Sequence, residues 1–219
     1  MVAPKAGASR PVPRVVVVDA NVLYSAGLRN LVMWLRVKEI IHLHWTREID
    51  DEWIRNLARN RGVAPNKFLH KVAALMKDAV PDWEIDGFES HIGRFKGVDE
   101  KDQHVAAAAY KLSLEVWPGQ PVALVTQNVS DFQQSAFAGS AVRRYSLAEF
   151  LSQLMRESPA KVADACEAAR LAFTKPKESQ ANFVKRLREM HGCGELADQL
   201  TQYWQLPTAP SAKPVGRRQ

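Results

Sequence analysis

The hydrophobic pattern of the chain begins with Val15-Val-Val-Val18, four β-branched residues in a row, followed at once by Asp19, Ala20 and Asn21. A short, continuously apolar run fits a strand buried on both faces, as in the centre of a parallel sheet. From Ala20 to about Val37, the positions Val22, Leu23, Leu28, Leu31, Val32 and Leu35 recur at helical spacing, with Gly27 a candidate bend. Ile40 to Trp45 partly alternates and reads as a short strand or as the end of that helix. Thr46 has the character of an N-cap, after which Ile49, Trp53, Ile54 and Leu57 give a second helix its apolar face. Glu48, Asp50, Asp51 and Glu52 fall on the opposite edge, as a solvated acidic first turn favoured by the helix dipole, with Glu52 bordering the buried stripe. Pro65 opens a third helix, for which Phe68, Val72, Leu75 and Met76 are the expected core positions.

Pro81 to Ile85 reads as a loop entering another short strand. Asp99 and Asp102 stand before the helical run Val105 to Leu112, in the positions of an N-cap and an acid one turn later. Val122 to Thr126 is a second buried strand, and Phe132 starts a short helix. Val142 to Tyr145 has the composition of an edge strand, and Ser146 with Glu149 forms a capping box for a helix from Leu147 to Met155. Three amphipathic helices follow. The first has Pro159 at its start and Val162, Cys166, Ala169 and Phe173 on one face; Lys175-Pro-Lys177 interrupts it. The second carries Phe183, Val184 and Leu187 and stops at Gly192 and Gly194; the third carries Leu196, Leu200, Tyr203 and Trp204.

Strands alternating with helices predict an α/β fold, a parallel sheet flanked by helices, followed by a small α-helical C-terminal region. The expected boundaries are a flexible segment over 1–12, an α/β domain over 13–155, a helical extension over 156–205 and a disordered tail over 206–219. The content of apolar residues, 46%, with six Trp and eight Phe, supports a packed core. A net charge of +6 is compatible with a polyanionic partner and carries no specificity by itself. Two distant cysteines, Cys166 and Cys193, in no metal-ligand spacing, fit a reducing cytoplasm. There is no apolar run of membrane-spanning length, so no membrane partner is expected.

Strand ends in an open α/β sheet are where ligands collect, and acids gather at the expected strand ends here. Asp19 follows the first strand, Asp102 sits at a helix start, and Asp131 lies beyond the strand ending at Thr126. Glu52 joins them if its helix packs beside the first strand. Asp19 alone reads equally as an N-cap or as a site residue. Several carboxylates in one hollow repel and raise one another's pKa. A divalent cation relieves the conflict, and an oxygen-only donor set suits Mg²⁺ or Mn²⁺ rather than Zn²⁺. Such a site typically hydrolyses phosphodiesters.

Four blocks carry a resemblance: Val-Val-Asp19-Ala-Asn21, Thr46-Arg-Glu-Ile-Asp-Asp-Glu52-Trp, Asp99-Glu-Lys-Asp102-Gln-His-Val-Ala, and Val125-Thr126-Gln-Asn128-Val-Ser-Asp131-Phe132. In this order they resemble the motif regions of PIN-domain ribonucleases, most closely the VapC-type toxins of type II toxin–antitoxin modules. The resemblance spans about two-thirds of the chain. It implies a PIN-like sheet and a Mg²⁺- or Mn²⁺-dependent endoribonuclease that cuts RNA by an activated water, leaving a 5′-phosphate. It also implies a cognate antitoxin, a homodimer, and tRNA or rRNA as plausible substrates. Carried over by position, Asp19, Glu52 and Asp102 become the metal-binding acids, with Asp131 a fourth catalytic acid, and Asn21, Thr126 and Asn128 supporting them by hydrogen bonds. Where many members have Thr-x-Asp, this chain has Thr126-Gln-Asn128, leaving Asn128 and Asp131 as alternative candidates to complete the site.

His104 is expected to pack or cap rather than act as a base, His42 and His44 are candidates to line an RNA path although strand-facing histidines are more often structural, and Arg55, Arg59 and Arg61 form a solvated face with potential phosphate contacts. From another class, the chain could be a catalytically inactive PIN-like module that binds RNA or protein. A dehalogenase-like phosphatase is disfavoured because Asn21 stands where that chemistry needs a second Asp, and a Rossmann cofactor site because no Gly-rich turn follows the first strand.

Overall fold

The computed structural model describes residues 11–60, 67–174 and 176–207. Its centre is a four-stranded, all-parallel sheet in the order β2-β1-β3-β4, built from β1 (Val15–Val18), β2 (His42–His44), β3 (Val122–Thr126) and β4 (Val142–Ser146). Every residue of β1 and β3 is buried, which is why both are uninterrupted apolar runs. Strand β4, at the edge, buries only Val142 fully. The chain leaves β1 toward β2 on one side and leaves β3 toward β4 on the other, so the connections diverge between β1 and β3. That divergence opens a crevice at the carboxyl ends of those two strands.

The helical reading from Ala20 to Val37 divides into α1 (Ala20–Tyr24) and α2 (Ala26–Val37). The break falls at Ser25 rather than Gly27: extended backbone there lets the Ser25 hydroxyl accept the amide of Leu28 and start a new helix. Helix α3 (Arg47–Asn60) follows β2 and begins where Thr46 Oγ1 accepts the Ile49 amide. Helix α4 (Lys67–Ala79) presents a different face from the one expected. Leu69, Ala73 and Met76 are buried, Val72 is partly buried, and Phe68 and Leu75 are exposed. Pro65 and Arg61 lie outside the described residues. The segment around Ile85 contributes a single parallel bridge, Trp45 to Glu84, rather than a strand. Helix α5 (Gln103–Lys111) buries four consecutive alanines, whose small side chains let it lie close against β1 and β3. Phe132 does not open a helix; it is fully buried between two short 3₁₀ turns, Val129–Asp131 and Gln134–Phe137.

The capping box at Ser146 and Glu149 starts α6 (Leu147–Glu157). Three further helices, α7 (Pro159–Leu171), α8 (Gln180–His191) and α9 (Gly194–Tyr203), pack against the α/β part: α7 on α2, and α9 on α6. Gly192, left-handed at φ 64°, ends α8, whereas Gly194 lies within the first turn of α9 instead of stopping a helix. At the start of the described chain, Val12 is buried and its amide donates to Glu157 Oε1 at 2.7 Å. Val12 is therefore part of the packed structure. Leu206 likewise packs on the core and donates to the Thr201 carbonyl at 2.9 Å, so the ordered chain continues past the expected boundary of the tail. Residues 1–10 and 208–219 lie outside the described residues.

Candidate active site

The crevice between β1 and β3 holds Asp19. It occupies the N-cap position of α1 but makes no side-chain capping bond, so the cap reading does not describe it. Its Oδ2 instead accepts from Thr126 Oγ1 at 2.7 Å and from Asn21 Nδ2 at 2.5 Å. Thr126 Oγ1 also accepts from Asn21 Nδ2 (2.9 Å) and from the Asn128 amide (3.0 Å), while Asn21 Oδ1 accepts the Gln127 amide at 2.9 Å. The Asp19 amide donates to the Val125 carbonyl at 3.0 Å. Asn21 and Thr126 thus clamp one carboxylate oxygen across the strand divergence and tie the β3 end to β1.

Two elements bring further acids toward Asp19. Glu52, half-buried on α3, and Asp102, buried at the start of α5, both feel its charge. Burial pushes the Asp19 carboxyl above its usual range, with Thr126, the Ala20 amide, His104 and Asn21 pulling against it. Burial, then the charge of Asp19, raises Glu52. Burial and Asp19, opposed by Lys101, push Asp102 up to about 7, and hydrogen bonding with Asp131 favours its protonated form further. The hydrogen bond from Lys101 holds Asp131 below its usual range. Lys101 Nζ stands 3.0 Å from Asp131 Oδ2 and 4.0 Å from Asp102 Oδ2, so a tethered cation already bridges that part of the acid group.

The two candidates in the last motif take different positions. Asp131 joins the acid group through Asp102 and Lys101. Asn128 stands outside it, donating to Asp131 Oδ2 at 2.5 Å and accepting from Ser130 at 2.7 Å, and so orients Asp131. Asp99 is a cap, accepting the Lys101 amide at 3.2 Å.

Several residues fall elsewhere than expected. Asp50 does not belong to a solvated acidic edge: it is buried, accepts Trp53 Nε1 at 2.9 Å and pairs with Lys77 at 2.7 Å. His104 packs beside the acids rather than capping the helix. Its Nε2 lies 3.9 Å from Glu52 Oε2, and its buried Nδ1 has no hydrogen-bond partner among the described residues. Burial lowers its pKa against the opposing charges of Asp19 and Glu48, so the ring is neutral at pH 7. His42 and His44 take the structural role of strand histidines and do not line the site. His44 is buried with Nδ1 2.8 Å from the Asp82 carbonyl oxygen, and His42 pairs with Val15 at the amino end of β1 while its ring lies 4.6 Å from that of Trp117.

Comparison with protein-family models, with curated proteins and with solved structures found no match to the chain. The site therefore rests on its own geometry and on the motif resemblance. Its donor set, all carboxylate and amide oxygen, has the chemistry for a hard divalent cation. Three acids whose pKa values are raised, first by burial and for Glu52 and Asp102 also by the charge of Asp19, mark the hollow as a costly place for ionised carboxylates. Among the described residues, however, no three His, Cys, Asp or Glu side chains close on one point as a formed ion site. Lys101, beside Asp131 and Asp102, and Arg55, acting on Glu52, are counter-charges that the arrangement contains.

Sequence reading passed over Lys101, although its place between Asp99 and Asp102 puts an ammonium within one turn of both. It also passed over Asn56 and Asn60, which follow Glu52 at spacings that share its helix face.

Proposed function

We propose that the chain is a Mg²⁺- or Mn²⁺-dependent endoribonuclease. The observation that carries this reading is the gathering of Glu52 and Asp102, from two different elements, around the buried Asp19 at the strand divergence, where the charge of Asp19 makes the ionised form of each costly. A fold gains no stability from such an arrangement, so a bound cation is its physical rationale. Asp19, Glu52 and Asp102 would hold the cation, which when bound lowers the pKa of an attacking water and neutralises charge on the phosphodiester. Asn21 and Thr126 fix Asp19 through its Oδ2. Asn128 fixes Asp131 against Lys101, whose ammonium pairs with Asp131 and stands beside Asp102 and is suited to a phosphate oxygen. RNA as the polymer, a cognate antitoxin and a cytoplasmic toxin role follow from the motif resemblance.

The Lys101 ion pair favours a second reading, an inactive module of the same fold in which the ammonium permanently replaces the metal. Thermal unfolding with and without Mn²⁺ separates the two. The enzyme gains about 5 °C or more at a hundredfold excess over Kd, cuts single-stranded RNA, and loses about a hundredfold or more of that activity in Asp19→Asn. An unchanged Tm together with uncut RNA overturns the nuclease and leaves the inactive module.

A further inference from the structure

Beside the acids, on the α1–α3 side, lies an open polar cavity of about 370 Å³ lined by Asn21, Tyr24, Glu52, Asn56, Arg59 and Asn60. It shares Asn21 and Glu52 with the acid site, and its far wall is the stripe of α3 on which Glu52, Asn56, Arg59 and Asn60 recur one turn apart. Hydrogen bonds hold the wall in shape: Asn60 Nδ2 donates to the Tyr24 hydroxyl at 3.1 Å, and Asn56 Nδ2 reaches Glu52 Oε1 at 3.5 Å. Arg59 is exposed and has no ion pair among the described residues, unlike Arg36, Arg47 and Arg186, each matched to a carboxylate.

We infer that this cavity reads one unpaired nucleobase next to the scissile phosphate, and that the base is guanine. The inference rests on the nuclease reading above, because it takes its distance from the reacting phosphate from Glu52 and Asn21. Sequence-specific RNA recognition targets splayed single-stranded bases, stacked on aromatic side chains and hydrogen-bonded on their edges. Tyr24 supplies the ring, two side-chain amides supply paired donors and acceptors, and Arg59 supplies a forked donor. A guanidinium fork matches the adjacent O6 and N7 acceptors of guanine, a pair that adenine and uracil lack; unpaired cytosine offers a comparable O2 and N3 pair but lacks the N1–H and N2–H donors with which guanine meets the side-chain amide oxygens. Such a match discriminates by roughly tenfold or more. An apolar pocket would hold a base without choosing among the four; this wall is polar along its length.

The test uses the full chain and fluorescently labelled hexauridylate, with zero or one central residue replaced by G, A or C. Binding is read by anisotropy in EDTA and low salt, and cleavage of the same oligomers with Mn²⁺. The G-containing hexamer should bind about tenfold more tightly than the other three. Arg59→Gln and Asn60→Ala should each remove most of that preference, with melting temperatures unchanged because both side chains are exposed. Equal binding of all four hexamers by the wild-type chain, or a preference that survives both substitutions, overturns the inference. Discrimination in EDTA without any Mn²⁺-dependent cleavage sinks the nuclease reading and keeps a base-binding cavity; cleavage without discrimination sinks the cavity alone.

Discussion

Asp102 shows what a site of this kind costs at the level of one residue. Its carboxyl is 9% exposed, beside Asp19 and Asp131, and its pKa stands at about 7. In the unfolded chain it ionises near pH 4. The sign follows from linkage: below pH 4 the group is protonated in both states and costs nothing. As pH rises toward 7 the unfolded state releases its proton first, so stability falls through that window and is lowest above it. The penalty has an upper bound of about 4 kcal/mol. Asp102→Asn should therefore be more stable than the parent at pH 8 in EDTA, with the gain vanishing near pH 4, as measured by urea denaturation at the two pH values. A variant destabilised at pH 8 would show that Asp102 acts as a structural acid. Asp19 was open to two readings in the sequence, since an acid after a strand fits a cap as well as a site; only the bond to Thr126, from 107 residues away, decides between them. That bond depends on the strand order, which no local pattern encodes.

Among the elements, α3 carries two acids with opposite roles. Glu52 faces the crevice; Asp50, two residues earlier, faces the core and satisfies Trp53 while pairing with Lys77 on α4, whose ammonium also lies 4.4 Å from the Trp83 ring centre. Removing one partner of a buried pair leaves the other uncompensated. Because Lys77 is about a third exposed, Asp50→Ala should cost about 2–3 kcal/mol rather than the larger value of a fully buried pair. Asp51→Ala, on the exposed side, should change stability by less than about 0.5 kcal/mol. Chemical denaturation of both variants checks the contrast, and equal effects would contradict the buried pair. The buried strands β1 and β3, the capping box and Asp99 were legible because their signals are local. The face of α4 was not, because Phe68, Leu75, Leu69 and Met76 offer two apolar stripes about a third of a turn apart, and tertiary contacts choose between them. Ser25 was missed as a break because its cap lies inside an otherwise unbroken helical period.

At the scale of the molecule, the C-terminal helices raise the question of whether they fold with the sheet or apart from it. Composition and the change of pattern near Ser158 favour an appended unit. The contacts favour integration: Asn30 on α2 donates to the Ala169 carbonyl at 2.7 Å, Lys38 pairs with Asp164 at 2.7 Å, and Gln199 on α9 donates to the Ser152 carbonyl at 3.2 Å. From the other end of the chain, the Val12 amide and Arg14 both engage Glu157, where α6 gives way to α7. Two buried thiols report directly on this region: Cys166 sits in α7 and Cys193 at the α8–α9 junction, both fully buried, with burial pushing the Cys193 thiol up to about 11 and Cys166 higher still. Trp45 and Trp53, buried around β2 and α3, report on the α/β part. If one cooperative core includes both, labelling of the thiols by a disulfide reagent and loss of tryptophan fluorescence should share a single urea midpoint. Thiol labelling at a lower urea concentration would show that α7 to α9 open first, as a separate unit.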